Sequence, residues 1–258
     1  MNQPTPLKTL RVDQLPINIY QDAHSLGKAA ALDAQVIIQE AIKQRKEANI
    51  ILATGNSQLT FLKSLRSLDE VDWSKVRVFH MDEYLGIDPN HPASFPLFLE
   101  QHFLNHLKVG SFHPISGQPK EVEQACKDYT QLLKRYPADL VAIGWGENGH
   151  IAFNDPPYAE FNDSKWVKPV ELADASRKQQ VGEGHFENMD QVPKHAITLT
   201  IPALLAPKHI LCIVPELRKA NAVKECLEQS VGEERPGSVL RTILNAKLYL
   251  DQDSSSQL

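Results

Sequence analysis

The sequence has few of the residues that mark several classes of protein. It holds only three cysteines, Cys126, Cys212 and Cys226, and no two of them form a CxxC pair. An odd number of widely spaced cysteines favours reduced thiols in a cytoplasmic protein over a disulfide framework or a zinc site. No apolar run approaches the roughly 18 residues of a membrane span. The N-terminus also lacks the apolar segment of a secretory signal, so we expect no membrane association.

Positive charge is not in excess either. Lysine and arginine total 27 against 32 acidic residues, which gives a formal net charge of −5. This balance provides no general attraction for nucleic acid or for an anionic membrane. An anionic ligand would therefore need a local cluster of donors. Hydrophobic residues make up 42% of the chain, a share typical of a globular protein, and its 258 residues fit a single domain.

Helical and strand patterns alternate along the chain. Short apolar or β-branched runs predict strands at residues 49–53, 76–79, 139–143, 196–200, 209–214 and 246–250. Amphipathic or glycine-poor segments predict helices at 23–47, 58–68, 94–107, 119–134 and 217–229. Such alternation indicates an α/β fold with a mostly parallel sheet and helices on both faces. We expect one domain over 1–258, with flexible ends at about 1–12 and 252–258, where pattern is weak.

Ligands of such sheets bind at the carboxyl ends of the strands, which directs attention to three loops. The first has glycine and hydroxyl side chains before a helix, an arrangement that favours an anion such as phosphate. Its residues are Thr54, Gly55, Asn56 and Ser57. Taken alone, the same residues are more typical of an ordinary turn with an N-cap serine. No P-loop lysine follows, which disfavours a nucleoside triphosphate site.

The second loop, residues 80–86, contains the paired acids Asp82 and Glu83 directly after a strand. A carboxylate that is partly buried in this position has a raised pKa and suits a general base. The alternative is a solvated acidic loop in which Asp82 caps a turn.

The third loop, residues 144–156, formally satisfies the dinucleotide pattern GxGxxG with Gly144, Gly146 and Gly149. However, Pro156-Pro157 would stop the helix that a dinucleotide site requires. What remains is a glycine-rich loop that presents His150. Histidine transfers protons near neutral pH, although a histidine that is merely packed in the loop is the simpler alternative.

These loops, in this order, resemble the glucosamine-6-phosphate deaminase family within the deaminase/6-phosphogluconolactonase superfamily. The similarity extends from about residue 20 to 251 and is most specific in four segments: Phe79-His80-Met81-Asp82-Glu83-Tyr84, His91-Pro92-Ala93-Ser94-Phe95, Gly149-His150-Ile151-Ala152-Phe153-Asn154 and Gln191-Val192-Pro193-Lys194-His195-Ala196-Ile197-Thr198. The resemblance implies a Rossmann-like fold and conversion of a hexosamine phosphate to fructose 6-phosphate and ammonia, with no redox cofactor and no catalytic metal.

The resemblance also implies roles for individual residues. Asp82 matches the base that moves a proton from C2 to C1, and His150 matches the histidine that assists ring opening. The residues that match the phosphate site are Thr54, Gly55, Asn56, Ser57 and Lys219. We also expect Glu83 and Gly149 to contact substrate.

Two positions and one segment, residues 165–186, depart from the family pattern. Asn148 stands where an aspartate is common, and Asp155 stands where a glutamate is common. Because an asparagine cannot be the charged partner of His150, ring opening is expected to be slower, differently arranged or adapted to another sugar. Arg177 is the nearest candidate for a phosphate-contacting arginine in a divergent segment.

Several functions therefore stay open at this point. The leading prediction is a glucosamine-6-phosphate deaminase, and a galactosamine-6-phosphate deaminase is its nearest alternative. A 6-phosphogluconolactonase and a non-catalytic sugar-phosphate sensor are the others. A homo-oligomer is compatible with the sequence, but the chain lacks an extended C-terminal tail, so allosteric hexamers of the family type are not assumed.

Overall fold

The main structural element is an eight-stranded sheet, in a computed structural model that describes residues 3–156 and 158–258. In spatial order the strands are β1 (Lys8–Val12), β2 (Leu15–Tyr20), β11 (Ala246–Asp251), β10 (His209–Val214), β7 (Leu140–Ile143), β3 (Ala48–Leu52), β4 (Val76–His80) and β6 (Ser111–His113). Among these described strands, only the β1–β2 pair is antiparallel. The predicted α/β fold with a mostly parallel sheet is confirmed.

Helices cover both faces of this sheet. The helices are α1 (Ala23–Arg45), α2 (Leu59–Arg66), α3 (Phe95–His102), α4 (Val122–Arg135), α5 (Asp174–Gly182), α6 (Ile201–Leu205) and α7 (Ala220–Glu228). One core joins α1, α2 and α3 to the sheet, and the other joins α4, α6 and α7 to its opposite face. Neighbouring strand residues enter different cores, as Ile50 and Ile51 of β3 do. This arrangement explains why the strands read as continuous apolar runs.

Local signals account for the longest helix. Asp22 caps the N-terminus of α1, where its carboxylate accepts a hydrogen bond of 2.7 Å from the amide of Ser25. Lys46 ends the helix in the left-handed conformation. Gly27 lets α2 approach closely, because a Cβ at this position would lie 2.6 Å from Oγ1 of Thr60. The predicted helix at 23–47 is thus confirmed within two residues at its C-terminal end.

A second, three-stranded antiparallel sheet lies beside the main one. It consists of β5 (Asp82–Tyr84), β9 (His195–Leu199) and β8 (Val167–Glu171), in that order. Two predictions need correction here. Residues 82–84 form a strand rather than a loop, and the strand expected at 196–200 belongs to this small sheet. Buried β-rich runs look alike in sequence, and only long-range pairing decides which sheet each one joins.

The order of the strands opens a crevice near the centre of the main sheet. From β3 the chain moves outward through β4 to β6, and it then returns to β7 on the other side of β3 before it continues to β10 and β11. The loops after β3 and β7 consequently diverge. Such a switch in direction creates a ligand site at the carboxyl ends of the strands. The loops at 54–58 and 144–156 flank this crevice, as predicted.

The chain ends differ from the expectation of flexibility at 1–12 and 252–258. Residues 8–12 form β1 and pair with β2 from Lys8 opposite Ile19 to Val12 opposite Leu15. Ser254 is fully buried, and its amide donates a 2.8 Å hydrogen bond to Oδ1 of Asp251. Polar composition gave no indication of these hydrogen bonds. Met1 and Asn2 at the predicted flexible end, and Pro157 of the predicted helix stop, lie outside the described residues.

Candidate active site

A cleft lies at the carboxyl ends of β3, β7 and β10, over the switch in strand order. Residues from all three predicted loops and from α5 line it: Ala53, Thr54, Gly55, Ser57, Gln58, Met81, Asp82, Phe95, Gly144, Trp145, Gly146, His150, Ala152, Phe153, Gln179, Gln180, Glu183 and Lys219. The structure therefore brings together predicted residues that are up to 165 positions apart, from Thr54 to Lys219.

Asp82 enters the cleft from the small sheet. It is the first residue of β5, where it lies opposite Thr198 of β9, and only 7% of its surface is exposed. Burial raises the pKa of Asp82 well above its ordinary value, and the charge of neighbouring Glu83 acts in the same direction. A carboxylate in such surroundings is more basic than in water. It therefore suits abstraction of a proton from carbon.

His150 is held by a cluster of oxygen atoms behind the cleft. Its Nδ1 lies 2.7 Å from Oδ1 of Asn148, 3.1 Å from Oγ of Ser176 and 3.2 Å from Oδ1 of Asp155. The amide and carboxylate oxygens only accept hydrogen bonds, so Nδ1 carries the hydrogen. Nε2 is then the nitrogen that remains available for proton exchange in the cleft.

Asp155 supplies the negative charge that Asn148 cannot. The Asp155 carboxylate is fully buried, and burial acts to raise its pKa. The charge of His150 and the hydrogen bonds from His150, Asn148 and Ser176 outweigh burial, so the pKa of Asp155 is lowered. Nδ2 of Asn148 donates to Oδ1 of Asp155 at 2.9 Å. Although position 148 departs from the family pattern, His150 thus keeps a charged partner in Asp155.

Glycine provides the space for the His150 ring. A Cβ at Gly146 would lie 2.0 Å from Cε1 of His150, far inside contact distance. The amide of Gly146 also donates a 2.9 Å hydrogen bond to the carbonyl of His150. The glycine pattern in this loop therefore accommodates a histidine. After Gly149, the next helix in the described part of the chain is α5, which begins at Asp174, so the loop lacks the helix of a dinucleotide site.

Another part of the cleft lining combines the first loop with Lys219. Thr54, Gly55 and Ser57 follow β3, and Gly55 has a φ of 93° that favours glycine. Lys219 follows β10 and is 2% exposed. Burial lowers the pKa of Lys219, partly opposed by the charge of Glu183. Hydroxyl groups, turn amides and an ammonium group are donors that bind phosphate.

Asn56, although predicted in the same group, does not line the cleft. Its Nδ2 donates to the backbone carbonyl of Glu183 at 3.5 Å. The side chain therefore connects the first loop to the segment after α5, and its contribution to a ligand is indirect.

Glu83 does not reach the cleft, in contrast to our prediction. Its Oε2 accepts hydrogen bonds from Oγ of Ser94 at 2.8 Å and from the amide of Phe95 at 3.1 Å, and its Oε1 accepts from the amide of Tyr84 at 2.8 Å. The carboxylate therefore caps the N-terminus of α3. Burial raises the pKa of Glu83 to about 7, although these hydrogen bonds act to lower it. Neighbouring strand residues point to opposite sides, which separates Glu83 from Asp82.

Arg177 also points elsewhere. Its guanidinium group donates to the carbonyls of Met189 and Val192, the latter at 3.2 Å, and lies 3.6 Å from Oδ1 of Asp174. These contacts attach α5 to the segment that follows it. The arginine expected at the phosphate is therefore absent from this position.

Gly149, predicted to contact substrate, does not line the cleft, and its conformation and packing give it a structural task. It has a φ of 78°, and a Cβ here would lie 2.7 Å from Sγ of Cys226 in α7. The position requires glycine because the turn before His150 packs directly on α7.

Helix α5 and the residue that follows it contribute side chains that the sequence analysis missed. Ser176 donates to both carboxylate oxygens of Asp155, and Gln179 and Glu183 line the cleft near Lys219. Nε2 of Gln179 donates to Oε1 of Glu183 at 2.8 Å. The polar composition of residues 174–186 offered little periodic signal, and only packing brings the segment against the two loops.

Comparison with known proteins gives consistent results. The family model for glucosamine-6-phosphate isomerases/6-phosphogluconolactonase matches residues 21–248. The chain is 33% identical over 220 residues to a glucosamine-6-phosphate deaminase of Bacillus cereus strain B4264, covering 85% of this chain and 82% of the relative. The Bacillus anthracis strain CDC 684 deaminase gives the same identity and coverage.

Solved structures share the fold. A monomeric glucosamine-6-phosphate deaminase superposes with a TM-score of 0.86 and 26% identity, over 94% of this chain and 99% of that one. A 6-phosphogluconolactonase from Shewanella baltica OS155 gives a TM-score of 0.74 and 18% identity, over 94% and 99% of the two chains. The second similarity concerns the fold alone.

Proposed function

Because the chain belongs to the glucosamine-6-phosphate isomerase/6-phosphogluconolactonase family and is an enzyme of the glucosamine-6-phosphate deaminase type, we propose that it converts glucosamine 6-phosphate and water to fructose 6-phosphate and ammonia. The observation that carries this proposal is that Asp82 and His150 line the same cleft as Lys219 and the loop after β3. The cleft thus offers a base, a proton-transferring imidazole and a phosphate site.

Ring opening is the first step assigned to the site. The phosphate of the sugar binds to Lys219 and the loop that contains Thr54 and Ser57, which places the ring near His150. Nε2 of His150 takes the proton of the anomeric hydroxyl and returns one to the ring oxygen, so that the C1 aldehyde forms. The hydrogen on Nδ1 stays with the Asn148 and Asp155 oxygens, 2.7 and 3.2 Å away, and the Asp155 carboxylate stabilises the imidazolium ion.

Isomerisation then moves a proton between carbons. Asp82 removes the proton from C2 of the open aldose, and the ammonium group on C2 gives a proton to O1, which yields an enol with a neutral amino group still on C2. Asp82 returns its proton to C1, and an iminium group forms at C2. Water adds to that carbon and ammonia leaves, so that fructose 6-phosphate remains. The raised pKa of Asp82 supports the removal of a weakly acidic C–H proton.

The test is ammonia release from glucosamine 6-phosphate, galactosamine 6-phosphate and N-acetylglucosamine 6-phosphate, with hydrolysis of 6-phosphogluconolactone in parallel. We expect ammonia from glucosamine 6-phosphate. Ammonia from galactosamine 6-phosphate alone would identify that sugar phosphate as the substrate instead. Lactone hydrolysis without ammonia release would indicate a 6-phosphogluconolactonase instead of a deaminase. Saturable binding without any turnover would indicate a sensor. The cytoplasmic location inferred from the sequence remains part of the proposal.

Substitution of the base sharpens this test. Asp82→Asn keeps the shape of the side chain and removes the proton acceptor, so the turnover number should fall about 10²- to 10⁴-fold. Asp69→Asn is the matched control, because Asp69 is exposed and does not line the cleft. Retention of most of the wild-type rate by Asp82→Asn would exclude the assigned role of Asp82.

A further inference from the structure

A buried carboxylate occupies the end of the cleft where a phosphate is expected. Glu183 directly follows α5, and its side chain is 7% exposed. Oε1 of Glu183 lies 3.9 Å from Nζ of Lys219, and the Glu183 backbone carbonyl accepts a hydrogen bond from Asn56. The carboxylate therefore lies between the same two segments that form the phosphate site.

The groups around Glu183 form a complete set of donors for an anion. Oε1 of Glu183 accepts from Nε2 of Gln179 at 2.8 Å and lies 3.4 Å from the Arg218 guanidinium group. Oε2 lies 3.4 Å from Nε2 of His185. Together with Lys219, these groups are the donor types that bind a phosphate monoester. In the ligand-free protein, all of them lie within 4 Å of one side-chain carboxylate, and Arg218 also pairs with Glu216.

The charges of Glu183 and a phosphate are incompatible in the same place. Burial acts to raise the pKa of Glu183, but the hydrogen bond with His185, the charges of Lys219 and Arg218 and the bond from Gln179 lower it overall. Glu183 is therefore ionised near neutral pH. A dianionic phosphate beside an ionised carboxylate is repelled. Lys219 compensates little for this repulsion, because the negative charge of Glu183 already offsets its positive charge.

The other acidic side chains that act on Lys219 and Arg218 do not line the cleft. Glu216 pairs with Arg218 through a 2.6 Å hydrogen bond, but it does not line the cleft. Glu147 affects the pKa of Lys219 by its charge, and it too is absent from the lining. Asp82 lines the cleft but has a raised pKa and belongs to the small sheet. Glu183 is thus the acidic group in direct competition with the phosphate.

The turn that carries Glu183 has open space beside its backbone. Glycines flank it on both sides, and a Cβ at Gly182 or at Gly184 would meet no atom within 4 Å. Gly184 has a φ of 80°, so the turn after α5 uses glycine's conformational freedom. Open space therefore adjoins the residues on either side of Glu183.

We propose that Glu183 occupies the phosphate subsite in the ligand-free protein and sets its affinity, because a ligand phosphate must displace the Glu183 carboxylate from Lys219 and its neighbours. This inference rests on the proposed function only in so far as both place a phosphate at Lys219. It assigns to Glu183 the role of a specificity-determining residue: a ligand gains affinity only if its anionic group outcompetes a carboxylate.

The test is the binding of inorganic phosphate and of fructose 6-phosphate, measured by titration calorimetry near neutral pH. Glu183→Gln and Glu183→Ala should both bind inorganic phosphate about tenfold more tightly than the wild type, or better, because each removes the competing charge. Glu100→Gln is the matched control: it removes one exposed negative charge on α3 that does not line the cleft, and it should leave the affinity nearly unchanged. Lys219→Met should abolish binding.

Unchanged or weaker phosphate binding by both Glu183 variants, with thermal unfolding midpoints like that of the wild type, would overturn the inference. It would mean that Glu183 orients Lys219 for the ligand instead of competing with it. Tightening in Glu100→Gln equal to that in Glu183→Gln would also overturn it, since net charge alone would then explain the effect. Because the measurement needs no turnover, a failure of the deaminase proposal leaves this test valid.

Discussion

Oγ of Ser176 donates to both carboxylate oxygens of Asp155, at 2.7 and 2.8 Å, while it lies 3.1 Å from Nδ1 of His150. Helix α5 is thereby connected to the loop that presents His150. The same helix contributes Gln179, which contacts Glu183 beside Lys219. One short helix therefore contacts the groups proposed for both proton transfer and phosphate binding.

Ser176 is a positioning residue, and its removal should affect turnover more than binding. In Ser176→Ala, the buried Asp155 carboxylate loses its hydroxyl donor, which should lower the turnover number about tenfold, the equivalent of roughly one hydrogen bond to a charged group. The Michaelis constant for glucosamine 6-phosphate should change little. Ser176→Thr retains the hydroxyl and should recover most of the rate. Equal losses in Ser176→Ala and Ser176→Thr would point to packing rather than hydrogen bonding.

Gly146 sets the position of the His150 ring. In Gly146→Ala the new methyl group would lie 2.0 Å from Cε1 of His150, so the imidazole must move. A displacement of about 1 Å in a catalytic group costs on the order of 10²-fold in rate, and we expect a loss of that size in the turnover number. Gly182→Ala is the control, because a Cβ there meets no atom within 4 Å. Wild-type activity in Gly146→Ala would contradict the proposed placement of His150.

Glu83 should give the stability of the protein a specific pH dependence. Burial raises the pKa of Glu83 to about 7 from an ordinary value of 4.5. The folded state therefore binds a proton more tightly than the unfolded state, so the Glu83 contribution to stability is fully present below about pH 4.5 and is lost as the pH rises to about 7. By linkage the change amounts to about 3 kcal/mol in the free energy of unfolding.

Urea unfolding of the wild type and of Glu83→Gln across this pH window measures the effect. The difference in unfolding free energy between the two should change steadily between these pH values and level off above them, because the amide side chain of the variant does not titrate. Glu100→Gln, an exposed change on the helix that Glu83 caps, should retain the wild-type profile. A pH-independent difference between wild type and Glu83→Gln would refute the raised pKa of Glu83.

The sequence by itself determined a large part of this structure. Continuous apolar runs such as residues 48–52 are typical of strands buried on both faces, and their alternation with helices predicted the parallel sheet and the loops at its carboxyl ends. The motif residues Asp82 and His150 were also identified in this way. These features depend on neighbours along the chain, so local pattern was sufficient to find them.

Only the tertiary structure decided which side chains share the cleft. Glu83 adjoins Asp82 in sequence but caps α3, and Arg177 contacts the backbone beyond α5, whereas Ser176 and Glu183 enter the site without any sequence signal. The direction of a side chain depends on strand pairing and helix packing between segments far apart in the chain. Burial, charge and hydrogen bonding at the site follow from that packing, and so do the proton affinities of Asp82 and Asp155.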